Sequence, residues 1–376
     1  MSKFWITQLV NKGEYPECVT GKIKKVDNNV IQMFDSHLPD NLVWTSLDVN
    51  DDNTLNIIYE FLKDNYVANK MYGLEYSKEF LRWSLTPPGY NKNLHLGLLY
   101  KTSSSLFLVG FITGTKINVY VKDKVNELVG INYLSVHKKL RNKNIAPLLI
   151  KEISRRSVLL NLEVALYTVG KKITKPFSKS YYKNIFLNIP KLKECKFVSD
   201  DQTSKSVIHI KSFYHTRKMI IDDIDEVYTL LNKFMKKYKV YQVFSKKEIL
   251  HLFVNDIMYT NVIVDNMSKR IIGMYSIYSI KSRLLFENKH SHIDFSYLHY
   301  YCYDKNYITV NDIIKESRLL AVETGHDILS MLNIMDYQSI NNERLIDYHT
   351  DTVLYYYMYN YVCNDINPDE LGVLLV

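Results

Sequence analysis

The chain has 376 residues, of which 47% are hydrophobic and 23% charged, a composition typical of a folded globular protein with one large or two smaller domains. It contains no uninterrupted apolar run of about 18 residues or more, which excludes a transmembrane helix. Residues 1–20 lack the apolar core of a signal peptide, so we expect a cytoplasmic protein without an integral membrane segment.

The formal net charge of +8 is compatible with three kinds of partner: nucleic acid, a membrane surface, or a polyanionic small molecule such as coenzyme A. The lysines are spread along the chain and no nucleic-acid-binding module is recognisable, so we expect no nucleic acid partner. The four cysteines lie far apart without CxxC or metal-ligand spacing, which predicts reduced thiols and no metal site: Cys18, Cys195, Cys302 and Cys363.

The first third of the chain predicts a polar tail, two helices and several strands. Phe4 and Trp5 are the clustered aromatic residues of the tail, and packing of their rings would hold it in place. Apolar residues at i, i+3 and i+4 predict amphipathic helices over Thr54–Tyr66 and Ser77–Leu85, with Thr54 near the N-cap of the first and Ser77 as the cap of the second. Strands are predicted further on, at His95–Tyr100, Leu106–Gly114, Ile117–Val121 and Val164–Thr168.

The stretch from Gly130 to Ile153 predicts a strand, a short basic loop and a helix. Ile131–Val136 has the β-branched and aromatic residues of a buried strand, and residues 137–144 carry four cations. Pro147 suits the first turn of a helix, because its missing N–H would have no partner there. The helix N-terminus and the loop cations would together bind an anion such as a pyrophosphate. A solvated basic loop is the alternative on composition alone.

The second half of the sequence repeats part of the first. Three short segments recur about 163 residues further on, which indicates a duplicated domain: residues 108–111, 132–134 and 150–152, echoed by 271–274, 296–298 and 314–316. The repeat has tyrosines where the first copy has its basic loop, so only the first copy is expected to bind an anionic cofactor. A polar stretch, DDQTSKS at residues 200–206, predicts the boundary.

The central motif also points to a known family. GINYLSVHKKLRNKNIAP, residues 130–147, resembles the signature of the glycylpeptide N-tetradecanoyltransferases (N-myristoyltransferases), usually written EINFLCVHKKLRSKRLAP. Further segments are similar to landmarks of that family and follow them in order along the whole chain: FWITQ (4–8), WTSLDVN (44–50), YSKEFLRWSLTPPGY (76–90), YT (167–168), YYMYN (356–360) and LGVLLV (371–376).

The resemblance implies a fold and an activity. The fold would be α+β, with two pseudo-symmetric halves similar to acyl-CoA N-acyltransferases (GNAT-like) around a mixed, largely continuous β-sheet. Residues 1–203 would form the acyl-CoA-binding half and residues 204–376 the peptide-binding half. A monomeric enzyme would transfer a myristoyl group from myristoyl-CoA, a co-substrate rather than a tightly bound cofactor, to the N-terminal glycine of a protein.

Amide formation from a thioester needs donors for the carbonyl oxygen and a base for the amine. The resemblance places the donors at the backbone amides of Tyr133 and Leu134, which a β-bulge would free from the sheet. It places the base at the α-carboxylate of Val376, at the end of an apolar run that would be buried. The alternatives are a plain core strand over residues 132–136 and a chain terminus in water.

The resemblance also assigns binding residues to both substrates. Contacts to the coenzyme A thioester would come from Lys3, Phe4, Trp5, Tyr66, Val67, Tyr133, Leu134, Ser135, Val136, Arg141, Asn142, Lys143, Asn144, Ile145, Ala146 and Pro147. Contacts to the acceptor peptide would come from Tyr76, Asn132, Tyr167, Thr168, Gly170, Tyr182 and Asp351.

Several departures from the family lie on the acceptor side. After Tyr66 and Val67, the acidic run that attracts basic substrate residues is replaced by Ala-Asn-Lys at 68–70. The late Gly-x-Gly-Asp-Gly motif keeps only Asp351. A preference for lysine in the acceptor is therefore not expected. One alternative function is a non-catalytic or weakly active relative that binds acyl-CoA or peptide. Another is a related acyltransferase that uses another acyl chain or another amine.

Overall fold

The computed structural model describes residues 3–16, 19–25, 38–202, 212, 214–340 and 347–375, without the side chains of His349 and Asp351. The α-helices are α1 Lys3–Thr7, α2 Asp52–Asn65, α3 Lys78–Leu85, α4 Ile145–Leu159, α5 Ile189–Glu194, α6 Ile224–Met235, α7 Lys246–Phe253 and α8 Val310–Glu323. Short 3₁₀ turns lie at Lys92–Leu94, Lys138–Leu140, Ile221–Asp223, Met335–Ser339 and Pro368–Glu370.

The strands are β1 Gly21–Lys22, β2 Leu42–Ser46, β3 Tyr72–Glu75, β4 His95–Lys101, β5 Leu106–Val121, β6 Lys124–Val136, β7 Ala165–Val169, β8 Ser178–Phe186, β9 His215–Lys218, β10 Val240–Gln242, β11 Met258–Val264, β12 Ile271–Leu284, β13 His292–Tyr303, β14 Ile328–Leu332, β15 Tyr348–Tyr359, β16 Tyr361–Val362 and β17 Leu371–Gly372. Fifteen of them form one sheet, whose main path runs β17-β10-β5-β6-β7-β15-β8-β14-β13-β12-β11-β9. β2 extends the sheet through β4, and β3 pairs with β12.

The predicted α+β fold with a mixed, largely continuous sheet is confirmed. Neighbouring strands are antiparallel except at three pairs, β6 with β7, β13 with β14, and β10 with β17. The predicted repeat corresponds to two units of the same order, β4-β5-β6-α4-β7 and β11-β12-β13-α8-β14. Each unit ends in a strand–helix–strand crossover between parallel neighbours, which a short hairpin cannot make.

The two units meet through strands contributed by distant parts of the chain. β15 and β8 lie between β7 and β14 and join the units edge to edge. At the other end, β10 pairs with β5 at residues 119–121 and carries β17 on its outer side. The predicted boundary at residues 203 and 204 lies outside the described residues and stays a prediction.

Helices cover both faces of the sheet in the first unit. The apolar sides of α2 and α3 pack with Phe111 and Tyr133 on one face, and α4 packs with Ile112 and Val129 on the other. Alternation along β5 and β6 therefore sends successive side chains into two different cores. Ser77 caps α3 as predicted, by accepting a hydrogen bond from the N–H of Phe80 at 3.0 Å.

Two details of the prediction are wrong. The N-cap of α2 is Asp51, whose carboxylate accepts from the N–H of Thr54 at 2.7 Å, so the helix begins before Thr54. The segments predicted as separate strands at 106–114 and 117–121 form one strand, because pairing with β6 continues through residues 115 and 116. The polar residues there face partly outward and do not interrupt the ladder.

No helix in the described ranges is long and apolar enough to cross a membrane. Cys195, Cys302 and Cys363 are buried free thiols, and Cys18 lies outside the described residues. Within those same ranges, no three histidine, cysteine, aspartate or glutamate side chains approach one another closely enough to hold a metal ion.

Candidate active site

A β-bulge interrupts β6 at the residues predicted to supply the oxyanion donors. Phe111 pairs with Ser135 and Thr113 with Asn132, so Tyr133 and Leu134 together face a single residue of β5. Tyr133 has a φ of 53°, in the left-handed region where a non-glycine residue is uncommon. A bulge leaves an extra residue outside the ladder, so the geometry there differs from a regular strand.

A tyrosine side chain lies beside the bulge. The rings of Tyr66 and Tyr133 are 5.7 Å apart between centroids, and both residues line the same cavity. Burial raises the pKa of Tyr66 to about 12, although the nearby backbone N–H of Tyr133 acts in the opposite direction. Tyr66 is therefore a neutral phenol at physiological pH.

A cavity opens where β6 and β7 separate. The two strands pair only from Val129 to Ile131, opposite Ala165 to Tyr167, and diverge beyond that point. The cavity has a volume of about 360 Å³, and most of its surface is apolar. That volume lies within the range of about 300–1,000 Å³ that small-molecule sites occupy. Tyr133 and Leu134 line it, so the bulge borders an apolar chamber.

One face of α4 forms the floor of this cavity. The lining residues of α4 recur at three- and four-residue spacing: Ile150, Ile153, Ser154, Ser157 and Val158. Their spacing places them on one helical face, and both serines donate to carbonyls one turn earlier. Sequence reasoning missed these residues. The two serines within an otherwise apolar face were the available signal, since small polar residues leave space where leucine would fill it.

The N-terminal segment closes one side of the cavity. Trp5 lies in α1 and lines the cavity, with its ring stacked on Tyr167 at 6.1 Å between centroids. Tyr167 stacks in turn on Tyr357 of β15 at 5.4 Å. Val10 bridges to Tyr359 of the same strand. The aromatic tail is thus packed in place, as predicted from its composition, and it is packed against the cavity.

The basic loop after β6 carries an open helix N-terminus. Asn142 and Asn144 have φ values of 65° and 59°, a left-handed conformation that asparagine tolerates. Asn144 is the N-cap of α4 but makes no side-chain capping hydrogen bond, and no acidic residue occupies the first turn. The first N–H groups of α4 and the loop cations are therefore arranged to receive an anion.

In the equivalent helix of the second unit, α8, side chains cap the N-terminus. Thr309 caps α8 in a reciprocal capping box with Asp312, whose carboxylate accepts from the N–H of Thr309 at 3.0 Å. A carboxylate at that point competes with an external anion for the same N–H groups. That only the first copy binds an anionic cofactor stays a prediction, and the different capping of α4 and α8 gives it a physical basis.

Asn65 ties the loop and the bulged strand to the end of α2. Its backbone carbonyl accepts from the hydroxyl of Ser135 at 3.1 Å and from the guanidinium of Arg141 at 2.7 Å. Its side-chain oxygen accepts from the N–H of Lys138 at 2.9 Å. Sequence reasoning missed Asn65, because a lone asparagine at the end of a predicted helix gives no indication of partners about 70 residues away.

A chain of aromatic rings leads from the bulge into the second unit. Tyr133 contacts Tyr76 at 5.4 Å between centroids, and Tyr76 contacts Phe80 at 5.6 Å. From Phe80 the path continues through Tyr278 and Tyr297, at 5.4 Å for each step, and reaches Tyr182 at 5.9 Å. Burial raises the pKa of Tyr182 to about 12, so this phenol is neutral as well.

The last described residues also lie close to the bulged strand. β17 is buried, and Val373 has no exposed surface. The Leu375 side chain lies against Gly130 of β6, where a Cβ on the glycine would come within 3.2 Å of it. Leu374, Leu375 and Asn132 line one small cavity of about 70 Å³ beside the bulge. The chain end therefore reaches the strand that carries Tyr133.

The structure brings together eight of the predicted site residues around the large cavity: Trp5, Tyr66, Asn132, Tyr133, Leu134, Tyr167, Thr168 and Gly170. Tyr76 and Tyr182 belong to the aromatic chain, and residues 135, 136 and 141–147 lie in the adjoining strand end, loop and helix start. Lys3 and Phe4 lie in α1 beside Trp5, and Val67 follows Tyr66 with its side chain exposed. Val376 and the side chain of Asp351 lie outside the described residues.

Comparisons with known proteins agree on one family. Residues 22–180 match the family model of the myristoyl-CoA:protein N-myristoyltransferase N-terminal domain, and residues 199–372 match that of the C-terminal domain. The glycylpeptide N-tetradecanoyltransferase of Plasmodium falciparum is 33% identical over 100% of this chain and 93% of its own length. The Schizosaccharomyces pombe enzyme of that name is 33% identical over 97% of this chain and 84% of its own.

A solved structure matches the fold at similar coverage. The crystal structure of Saccharomyces cerevisiae N-myristoyltransferase with bound myristoyl-CoA superposes with a TM-score of 0.92 at 27% identity, over 100% of this chain and 99% of that one. Sequence and fold therefore agree over the full length of the chain. The chain is an acyltransferase that belongs to the glycylpeptide N-tetradecanoyltransferase, or N-myristoyltransferase, family.

Proposed function

We propose that this protein transfers a myristoyl group from myristoyl-CoA to the N-terminal glycine amine of protein substrates. The observation that carries the proposal is the β-bulge at Tyr133 and Leu134, at the wall of an apolar cavity and directly before the basic loop. An acyl chain, a thioester and a phosphate group could occupy these three adjoining environments together. The relatives named for this reaction support the same conclusion.

Binding of the thioester would use the loop and the cavity separately. The coenzyme A phosphates would lie at the open N-terminus of α4, with Arg141 and Lys143 supplying charge. The N-terminal segment with Lys3, Phe4 and Trp5 would lie along the bound cofactor. The acyl chain would enter the apolar cavity over α4, where its burial supplies free energy in proportion to apolar area. Both arrangements would hold the thioester carbon next to the bulge.

The chemistry would be a direct attack of the amine on the thioester carbon. The new C–N bond forms as the carbonyl oxygen becomes negative, and the N–H groups of Tyr133 and Leu134 would stabilise that charge. The C–S bond then breaks and coenzyme A leaves as its thiolate, while the amine nitrogen gives up a proton.

The proton acceptor would be the α-carboxylate of Val376. A terminal α-amino group has a pKa near 7.7–8.0, so much of it is protonated at neutral pH and cannot attack. The path of residues 371–375 supports this role, because it brings the chain end beside Asn132 and Gly130 of the bulged strand. A carboxylate enclosed there would lose solvation and gain basicity.

The acceptor groove would not favour basic substrate residues. In the loop after Tyr66, Asn69 holds a tight turn by accepting from the N–H groups of Met71 and Tyr72, at 2.8 and 2.7 Å. Lys70 is exposed in that turn, at the place where the resemblance to the family implies an acidic run. Tyr76, Asn132, Tyr167, Thr168, Gly170, Tyr182 and Asp351 would contact the glycine end of the acceptor. Residues further along would meet neutral phenols.

The proposal includes a monomeric, cytoplasmic enzyme, and one chain supplies every group named above. The deciding experiment is a thiol-release assay with myristoyl-CoA and a panel of peptides that begin with glycine or alanine, with and without downstream lysine. Release that requires glycine and is indifferent to lysine is the expected result. Tight acyl-CoA binding without release for any peptide would instead identify a non-catalytic relative.

The base is tested by extending the chain beyond Val376 with two or three glycines, which moves the carboxylate away. We expect the extended protein to bind myristoyl-CoA as the parent does but to lose turnover. Unchanged turnover would exclude the terminal carboxylate as the base. Myristoyl-CoA affinity serves as the control for correct folding.

A further inference from the structure

The end of the chain is held by a hydrogen-bond relay from the second repeat unit. β17 pairs with β10 only at Leu371 and Gly372, so the ladder does not fix the residues that follow. The N–H of Leu374 instead donates to the hydroxyl of Tyr300 at 2.8 Å. The hydroxyl of Tyr300 donates in turn to Oε1 of Gln242 in β10, also at 2.8 Å.

Tyr300 is itself rigidly placed. Its side chain is 1% exposed, and its ring contacts Phe244 at 4.9 Å and His299 at 4.6 Å between centroids, edge to face in both cases. Burial raises the pKa of the phenol, which stays protonated and can donate and accept at once. Gln242 is 6% exposed and lies in a strand paired on both sides. The relay therefore starts from a fixed point in the sheet.

Packing alone does not fix the chain end. On one side Leu375 contacts β6 at Gly130, but on another side Leu374 and Leu375 border the cavity of about 70 Å³. Side chains next to unfilled space can shift rotamers at little cost, because they forgo no contacts on that side. The hydrogen bond to Leu374 restrains the backbone two residues before Val376.

We propose that Tyr300 is a positioning residue that sets the location of the C-terminal carboxylate relative to the bulged strand. The inference rests on the proposed function, in which that carboxylate takes the proton of the attacking amine. Tyr300 lies in β13 of the second unit, whereas the basic loop belongs to the first unit. The second unit would therefore act on the reaction through the chain terminus. A shift of about 1 Å in such a group can cost about a hundredfold in rate.

The test is Tyr300→Phe, which removes the hydroxyl and keeps the ring contacts. Single-turnover rates are measured by mixing the preformed protein–myristoyl-CoA complex with a glycine-start peptide. We expect the rate of acyl transfer to fall roughly ten- to a hundredfold, with the affinity for myristoyl-CoA unchanged. The matched control is Tyr275→Phe, another tyrosine that is 1% exposed and whose hydroxyl accepts from Asn261. Tyr275→Phe should leave the rate unchanged.

A chain extended beyond Val376 separates this inference from the proposed base. If extension abolishes turnover and Tyr300→Phe does not slow it, the positioning role is wrong and the base stands. If extension leaves turnover intact, the base itself is wrong. If the carboxylate is the base and Tyr300 positions it, Tyr300→Phe should not lower the residual rate of the extended chain any further. Two changes that act on one interaction are not additive. A Tyr300→Phe protein that binds myristoyl-CoA more weakly would indicate a general structural role and overturn the inference.

Discussion

The side chain of Asn65 offers a direct test of how the basic loop after β6 is organised. Replacing Asn65 by alanine removes the acceptor of the Lys138 N–H, at 2.9 Å, and the amide that donates to Phe61 at 2.9 Å. The backbone carbonyl of residue 65 remains, so its bonds from Ser135 and Arg141 remain too. The substitution therefore releases one end of the loop and leaves the other tied.

The expected loss of unfolding free energy in the loop depends on how deeply the hydrogen bond to the Lys138 N–H is buried. A buried donor left without a partner costs about 1–3 kcal/mol. The loop residues around Lys138 are partly exposed, so water can reach the freed N–H and the lower end applies, about 1 kcal/mol. If the loop must be ordered again when coenzyme A binds, the binding free energy becomes weaker by the same 1 kcal/mol or so, which raises Kd roughly fivefold.

Two measurements and one control decide the matter. Urea unfolding gives the stability change, and calorimetric titration with myristoyl-CoA gives the affinity change. The control is Asn255→Ala in the second unit, where Asn255 accepts from the N–H groups of Ile257 and Met258, each at 2.8 Å. Asn255→Ala should destabilise the fold without weakening myristoyl-CoA binding. An Asn65→Ala protein that is destabilised but binds myristoyl-CoA like the parent would refute the proposed organisation of the loop.

Three further predictions concern charge and packing. Arg141→Ala should weaken binding of myristoyl-CoA and of free coenzyme A alike, several-fold and more at low salt, whereas Lys151→Ala on the exposed face of α4 should not; titration at two salt concentrations checks this. The pKa of Glu152 is lowered, because the hydrogen bonds and charges of two neighbouring arginines outweigh the raising effect of burial. Its ionised form therefore stabilises the fold above the unfolded pKa of about 4.3. Glu152→Gln should cost about 1.5–3 kcal/mol of unfolding free energy at pH 7, and progressively less as the pH falls through the pKa of Glu152 in the folded protein. Urea unfolding at pH 7 and at a pH below that pKa measures the difference. Gly372→Ala should cost about 1–3 kcal/mol and slow acyl transfer, because its Cβ would lie 2.8 Å from the ring of Tyr238 and displace the chain end; thermal unfolding and single-turnover assays would show whether it does.

The local elements of the site could be predicted because they depend on short stretches of sequence. The strand, basic loop and helix of residues 130–153 form as expected, and the bulge lies at Tyr133 and Leu134. Helix starts follow from sequence where a single capping residue precedes the apolar pattern, as Ser77 does. The start of α2 is ambiguous, because the four consecutive residues Asp51, Asp52, Asn53 and Thr54 are all of the types that cap helices, and the structure selects Asp51.

Contacts between distant segments could not be predicted. Nothing in the sequence of β10 indicates that Val240 pairs with Val121, since a three-residue apolar strand fits many partners. The relay from Leu374 through Tyr300 to Gln242 likewise joins the segment after β17 to residues of β13 and β10, which lie far apart in the sequence. The apolar cavity could not be predicted from the sequence for a related reason. The helical apolar pattern of Ile150 and Ile153 is the same whether these side chains line a cavity or fill a packed core.

The interleaved sheet has a consequence for biosynthesis. The ribosome releases the first repeat unit long before the strands that complete its edge, since β5 is paired at residues 119–121 by β10, and β10 by β17 at residues 371–372. During that interval the nascent chain presents an unpaired strand edge, the kind of surface on which chains associate with one another. A chaperone or rapid elongation would shorten this exposure. The edge of the sheet is complete only after β17 has been synthesised and has paired with β10.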